Sequence, residues 1–211
     1  MLQTPLYIRE KIPYDLFSDS ELAALFPESS ARRYGLIKRA IAKGDLIHLR
    51  RGLYCLAEKW RRHPLNLFSL AQRIYGPSYI SFESALSYHG WIPEAVYTVT
   101  SACSPRSKKF ETPLGVFQFT KIPGQPFLAG VRQQSDPNGP FFLATPWKAL
   151  ADYIYIYKKD WTTLEPLIHS LRIDEEFFEN VDTDLLEEIE ESYSNQRVTQ
   201  FLKGIRKEIA R

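Results

Sequence analysis

Cysteine, methionine and long apolar runs are what this chain has least of. Its 211 residues include two cysteines and a single methionine. Cys55 and Cys103 stand far apart with no CxxC or Cys/His cluster around them, which excludes a disulfide framework and a cysteine zinc site; two reduced, partly buried thiols are expected instead. Nowhere do the roughly 18 consecutive apolar residues of a membrane-spanning helix occur. Arg9, Glu10 and Lys11 precede any apolar run of signal length, so a soluble cytoplasmic protein with no membrane partner is expected.

The patterns of common chemistry are missing too. There is no GxSxG, no P-loop and no GxGxxG, so neither a nucleophile elbow nor a nucleotide cofactor is indicated. His48, His63, His89 and His169 are scattered, without HxH or HExxH spacing, and His89 before Gly90 reads as a helix C-terminal residue. Metal-dependent nucleases commonly need clustered carboxylates with a lysine, yet the chain has no Glu-x-Lys or Asp-x-Lys triplet. Glu83, Glu111, Asp136 and Asp152 would have to converge for such a site. Asp152, set among Leu150, Tyr153 and Ile154, reads more simply as a surface or capping carboxylate. No catalytic residue, metal or cofactor is therefore expected, and a nuclease is the alternative to the reading that follows, with a protein-binding adaptor third.

What the chain does have is a hidden charge asymmetry. With 27 basic and 25 acidic residues it is nearly neutral, but Ala31 to Arg62 carries ten basic residues against only Asp45 and Glu58. That stretch is +8 and the remainder is −6, which points to a polyanion as the partner of the block.

The local patterns give the block a shape. Ser18 followed by Glu21 has the form of a capping box and opens a short helix that Pro27 ends. Ser29 or Ser30 then caps a second helix running to Lys43, with Gly44 as its terminator. At 100° per residue, Tyr34, Ile37 and Ile41 fall within about 60° of one another, and Arg32, Arg39 and Lys43 fall on the opposite face. One stripe packs and the other is cationic, with Gly35 and Ala42 towards the cationic side. Two short apolar strands, Leu46 to Leu49 and Leu53 to Leu56, flank Arg50-Arg51-Gly52, so a hairpin with arginines at its tip is expected. Helix, turn, helix, basic-tipped hairpin is the order of a winged helix-turn-helix.

On that pattern Arg32, Arg39 and Lys43 enter the major groove, Arg50 and Arg51 hold phosphates or probe the adjacent minor groove, and Arg33, Lys38, Lys59 and Arg61 reach phosphates, with Ser30 at the helix start. Six phosphate contacts imply a slope of about −5 in log affinity against log salt.

The fold class expected is α+β, with a winged helix-turn-helix over residues 1–62 and a mixed α/β domain over residues 63–211 that ends in helices. The second part should open with helices over Pro64 to Tyr75 and Phe82 to Gly90. Strands over Val96 to Ser101, Gly115 to Ile122 and Phe141 to Ala144 then suggest a small, largely antiparallel sheet with helices on one side. Thr145-Pro146 opens a further helix, and the tyrosine run 153–157 within it reads as core. Residues 174–191 carry ten acidic side chains and no basic one; they read as a solvated helix face against which a last, basic helix closes.

Four segments also carry a family resemblance: AKGDLIHLRRGLY, SYISFESALSYHGWIPE, FETPLGVFQFTKI and FFLATPWKALADYIY, in that order. Together they resemble the AbiEi-like antitoxins of bacterial type IV, or abortive-infection, toxin–antitoxin systems. The resemblance does not extend to the acidic helices from about Asp174. It implies an N-terminal winged helix that binds double-stranded operator DNA and represses its own operon, and a C-terminal domain linked to antitoxicity. The implied toxin is similar to nucleotidyltransferases and is countered without a stable complex. The chain leaves its own oligomeric state open.

Overall fold

The computed structural model describes residues 3–124 and 126–210. Its first unit begins with α1 (Thr4–Lys11), where Pro5 occupies a first-turn position whose amide has no helical partner to lose. The short strand β1 (Leu16–Ser18) follows. Ser18 then starts α2 (Asp19–Leu25) with a complete capping box: the Glu21 amide donates to the Ser18 hydroxyl at 3.3 Å and the Ser18 amide donates to the Glu21 carboxylate at 2.7 Å. Ser29, rather than Ser30, caps α3 (Ser30–Ala42), accepting from the Arg32 amide at 3.2 Å. Gly44, at φ +65°, lets the chain leave the helix. β2 (Leu46–Arg50) and β3 (Leu53–Leu56) form an antiparallel hairpin turned by Gly52 at φ +75°, and β1 pairs on the far side of β3.

Alternation along these strands places residues on both faces of the small sheet. Phe17, Leu46 and Leu56 join Ile8, Ile12, Leu22, Ile37 and Ala40 in a core of their own. Leu16, Leu49, Leu53 and Cys55 belong instead to the larger core of the rest of the chain. The hairpin is thus covered on both sides. Polar ties cross as well: Arg50 donates to the Arg73 carbonyl at 3.4 Å and Arg73 meets Glu21 at 3.2 Å, while within the first unit Arg62 donates to the Asp15 carboxylate at 2.8 Å and to the Ile12 carbonyl at 2.9 Å.

The second unit comprises α4 (Leu67–Ile74), β4 (Ser78–Ile80), α5 (Phe82–Tyr88), β5 (Thr98–Cys103), β6 (Lys108–Thr112), β7 (Gly115–Lys121), β8 (Val131–Gln134), β9 (Phe141–Ala144), α6 (Pro146–Tyr157), α7 (Glu165–Leu171), α8 (Thr183–Glu191) and α9 (Gln196–Ile209). α4 starts at Leu67, not Pro64, because the Asn66 side chain caps it by accepting from the Phe68 amide at 2.8 Å.

The mixed α+β composition matches the expected class, and three of the five pairings in the larger sheet are antiparallel, but the sheet departs from the expectation in two ways. Its order is β6-β7-β5-β4-β9-β8, and the β5/β7 and β4/β9 pairs are parallel. Helices also cover both faces. Tyr79 donates to Asp152 of α6 at 3.0 Å, while its neighbour Ser78 donates to the Tyr75 carbonyl at the end of α4, and the Tyr75 ring packs against Phe119 and Phe110 at 5.3 and 5.7 Å. Alternation in a strand reports which residues share a face; it does not report which strand lies alongside, and parallel neighbours are joined through distant crossovers.

The last helix closes on the acidic run. Arg206 reaches Glu190 at 3.3 Å and Glu187 at 3.5 Å, and Lys203 reaches Glu190 at 3.5 Å. α9 also lies tight against the 162 segment, because Gly204 has no side chain and a Cβ there would collide with the Thr162 carbonyl. Gly204→Ala should therefore lower the unfolding free energy by about 2–3 kcal/mol despite alanine's better helix propensity, measured by urea titration. A neutral or stabilising result would mean that this approach is looser than drawn.

Candidate functional site

The basic block separates into two groups once its side chains are followed. Six of the ten cations are engaged within the chain. Arg33 donates to the Phe26 carbonyl at 3.2 Å, holding α3 against the end of α2. Lys59 pairs with Asp45 at 2.8 Å, and the Trp60 indole donates to the same carboxylate at 2.9 Å; hydrogen bonds from Lys59 and Trp60 hold Asp45 below the usual carboxylate range. Arg61 donates to the Leu56 carbonyl at 2.8 Å and Arg62 to Asp15. Arg32 is exposed but bonded to Glu28, one turn before it.

Arg50 is the clearest correction. Expected at the hairpin tip, its guanidinium instead turns to the body, donating to the Arg51 carbonyl at 3.1 Å and the Arg73 carbonyl at 3.4 Å, with its Nε buried and unpartnered. Because β2 and β3 are packed on their second face by the larger core, the end of β2 lies against the body rather than in water. Arg33, Lys59 and Arg61, expected at phosphates, are likewise committed to the fold.

Among the described residues, Lys38, Arg39, Lys43 and Arg51 are exposed and make no ion pair or side-chain hydrogen bond. The first three lie on α3 and the fourth at the hairpin turn. A cleft of about 760 Å³ separates α3 from the hairpin, walled by Tyr34 and Lys38 on one side and by His48, Arg51 and Tyr54 on the other, with Ser30 at its end. The His48 and Tyr54 rings are 5.2 Å apart. Burial, with the Asp19 carboxylate beside it, pushes the Tyr54 hydroxyl upward, so it stays protonated.

Tyr34 is the residue that periodicity misplaced. Assigned to the packing stripe, it is 70% exposed and stands on the cleft wall. The buried residues of α3 are Ile37 and Ala40, flanked by half-buried Arg33, Leu36 and Ile41. The packing arc is centred on the alanine, so the outward arc takes in Tyr34, Lys38, Ala42, Gly35 and Arg39. A wheel weighted by side-chain size alone pulls that centre toward the tyrosine; Ala40 was the available signal.

The carboxylates of the nuclease alternative do not converge. Glu83 accepts from the Tyr157 hydroxyl at 2.7 Å, Glu111 pairs with Lys109 at 2.8 Å, and Asp136 accepts from Asn66 at 2.9 Å. Asp152, expected at the surface, is fully buried beneath Lys148, Tyr79, Ser81 and Tyr193. Among the described residues no group of three or more His, Cys, Asp or Glu side chains is placed to hold a metal ion, and no helix is long and apolar enough to cross a membrane. Burial pushes the Cys55 and Cys103 thiols up to about 11, so both are weak nucleophiles. His89 does cap the end of α5, but its ring is partly buried, bonded to the Ala144 carbonyl at 2.9 Å, and desolvation lowers its pKa.

No protein-family model and no curated protein matches this chain. The candidate site therefore rests on its own geometry: a helix with unpaired cations, a cleft with aromatic walls, and an arginine at the turn of a hairpin that is held in place from behind.

Proposed function

We propose that this protein is a sequence-specific DNA-binding transcriptional repressor, in which α2, α3 and the β2–β3 hairpin act as a winged helix-turn-helix and α3 is the recognition helix. The single observation that carries this reading is the sorting of the basic block. The unpaired cations, Lys38, Arg39, Lys43 and Arg51, lie exposed on α3 and at the hairpin turn, whereas Arg33, Arg50, Arg61 and Arg62 are bonded to carbonyls and a buried carboxylate of the fold, and exposed Arg32 and Lys59 are paired with Glu28 and Asp45. A merely solvated basic surface has no reason to divide along that line. On this reading α3 enters a major groove, where Arg39 can read guanine bidentately with Lys38 and Lys43 on the flanking phosphates, and Arg51 holds the neighbouring backbone. Tyr34 adds an exposed ring between them. The antitoxin role, toward a nucleotidyltransferase-like toxin countered without a stable complex, rests on the family resemblance of the four segments alone.

The test is fluorescence anisotropy with a labelled duplex from the region upstream of the gene, over a salt series. With Arg39 on a base, the three cations left to neutralise phosphates, Lys38, Lys43 and Arg51, give a slope of about −2.7 in log affinity against log salt, shallower than the six-contact expectation. Arg39→Ala should weaken specific binding by at least about tenfold with little change on unrelated duplex. Equal loss on both would reduce Arg39 to a backbone contact, and no salt dependence would remove DNA as the partner.

Glu28 supplies a prediction of opposite sign. It neutralises Arg32 and adds a negative charge at the start of α3, so Glu28→Gln should raise affinity two- to threefold at low salt, an ion pair of this exposure contributing about 0.5 kcal/mol. The gain should vanish as salt is raised.

A further inference from the structure

A second cleft lies on the opposite side of the chemistry, in the acidic part of the molecule. On the face of the six-stranded sheet that carries α5 and α6, about 460 Å³ of space opens beside β5, bounded by Glu83, Glu94, Tyr97, Tyr153 and Tyr157. The Tyr157 hydroxyl donates to one oxygen of Glu83 at 2.7 Å, which fixes that carboxylate and leaves its other oxygen open. Burial and the adjacent Glu83 charge push the Tyr157 hydroxyl upward, so it remains a donor. The Tyr153 and Tyr157 rings are 4.3 Å apart, and Tyr97 is 90% exposed at the mouth.

Tyrosine faces beside carboxylates attract cations twice, through the ring quadrupole and through direct charge. The chain itself supplies a precedent at the rim, where Arg172, just beyond α7, bonds to Glu94. Glu83 has no such counter-cation among the described residues. The uncompensated Glu83 carboxylate disfavours phosphate-bearing ligands here and favours a cationic partner. The floor is an open strand surface rather than an enclosed cavity: half-buried Thr98 on β5 and exposed Gln118 on β7 offer donors and acceptors to a main chain lying across them.

We propose that this cleft recognises an arginine or lysine side chain presented by a partner polypeptide, with Glu83 as the charge partner and Tyr97 and Tyr157 as its aromatic walls. The proposal is independent of DNA binding, which uses the opposite charge on a different unit.

The experiment uses the full chain and titrates a capped glycine pentapeptide with a central arginine, its citrulline counterpart, and spermidine, followed by two-dimensional NMR of the protein. The arginine peptide should saturate shifts confined to the cleft. Citrulline should weaken binding more than tenfold, Glu83→Gln about tenfold and Tyr97→Ala at least threefold, with spermidine weaker than the peptide. Tyr97 is almost wholly exposed, so its variant tests the site even if Glu83→Gln disturbs folding, which a thermal melt would reveal. Absence of arginine-peptide binding, equal binding of the citrulline peptide, indifference of the folded Glu83→Gln or Tyr97→Ala variants, or spermidine binding as tightly as the peptide would each overturn the assignment.

Discussion

Asp152→Ala should lower the unfolding free energy by about 3–5 kcal/mol, a large fraction of the roughly 5–15 kcal/mol that holds a domain together. The carboxylate is completely buried and is the hub of four groups. Lys148, one turn earlier on α6 and 1% exposed, faces it at 3.2 Å. Tyr79 of β4 donates at 3.0 Å, Ser81 at 2.5 Å, and Tyr193, between α8 and α9, donates to its other oxygen while accepting from Lys148 at 2.9 Å. Burial and the Asp152 charge push both tyrosine hydroxyls well upward, so they serve as proton donors over the working pH range. Removing the carboxylate leaves an ammonium without a counter-charge and three hydroxyls without their acceptor. Replacing the ion pair by Lys148→Met with Asp152→Leu should cost much less, because the uncompensated charge goes too. Urea titration decides: a shifted midpoint with unchanged slope is the expected form, and a single-variant loss under about 1 kcal/mol would contradict the burial. The network joins the sheet, α6 and the turn before α9, so its loss should loosen the C-terminal helices first.

The second large effect separates function from fold. Changing Lys38, Arg39, Lys43 and Arg51 together to alanine should flatten the salt slope from about −2.7 to near zero and leave no measurable operator binding at physiological salt. Stability should stay within about 0.5 kcal/mol, since all four side chains are exposed and unpaired. Arg62→Ala, from the same block, should behave inversely. It should destabilise by about 2 kcal/mol through the buried Asp15 carboxylate, while the salt slope stays intact. If the quadruple variant keeps its affinity, or if Arg62→Ala changes the slope instead, the division of the block is wrong.

Local signals were legible wherever the physics is local. The Ser18/Glu21 capping box, the Gly44 terminator, the Gly52 turn and the Thr145-Pro146 helix start are each decided by residues within about four positions of one another. The pairing of strands was not, because β5 lies parallel to β7 past the intervening β6 and β4 lies parallel to the far more distant β9, neither of which alternation encodes. Asp152 was misjudged for the same reason: its partners Tyr79, Ser81 and Tyr193 are some 40 to 70 positions away, so nothing beside it in the chain announces that it is buried.

The cationic stretch that dominates the sequence shows both limits at once. The sequence by itself determined that positive charge is concentrated between Ala31 and Arg62, that the stretch is helix followed by hairpin, and that the rest of the chain is acidic. Only the tertiary structure decided which of those charges remain available. Arg33, Arg50, Arg61 and Arg62 carry the same formal charge as Arg39 and Arg51, but the body brings carbonyls and a buried carboxylate within 2.8 to 3.4 Å of the first four, and a guanidinium so placed satisfies them. Charge is a property of the residue; whether it faces solvent unpaired is a property of what folds against it.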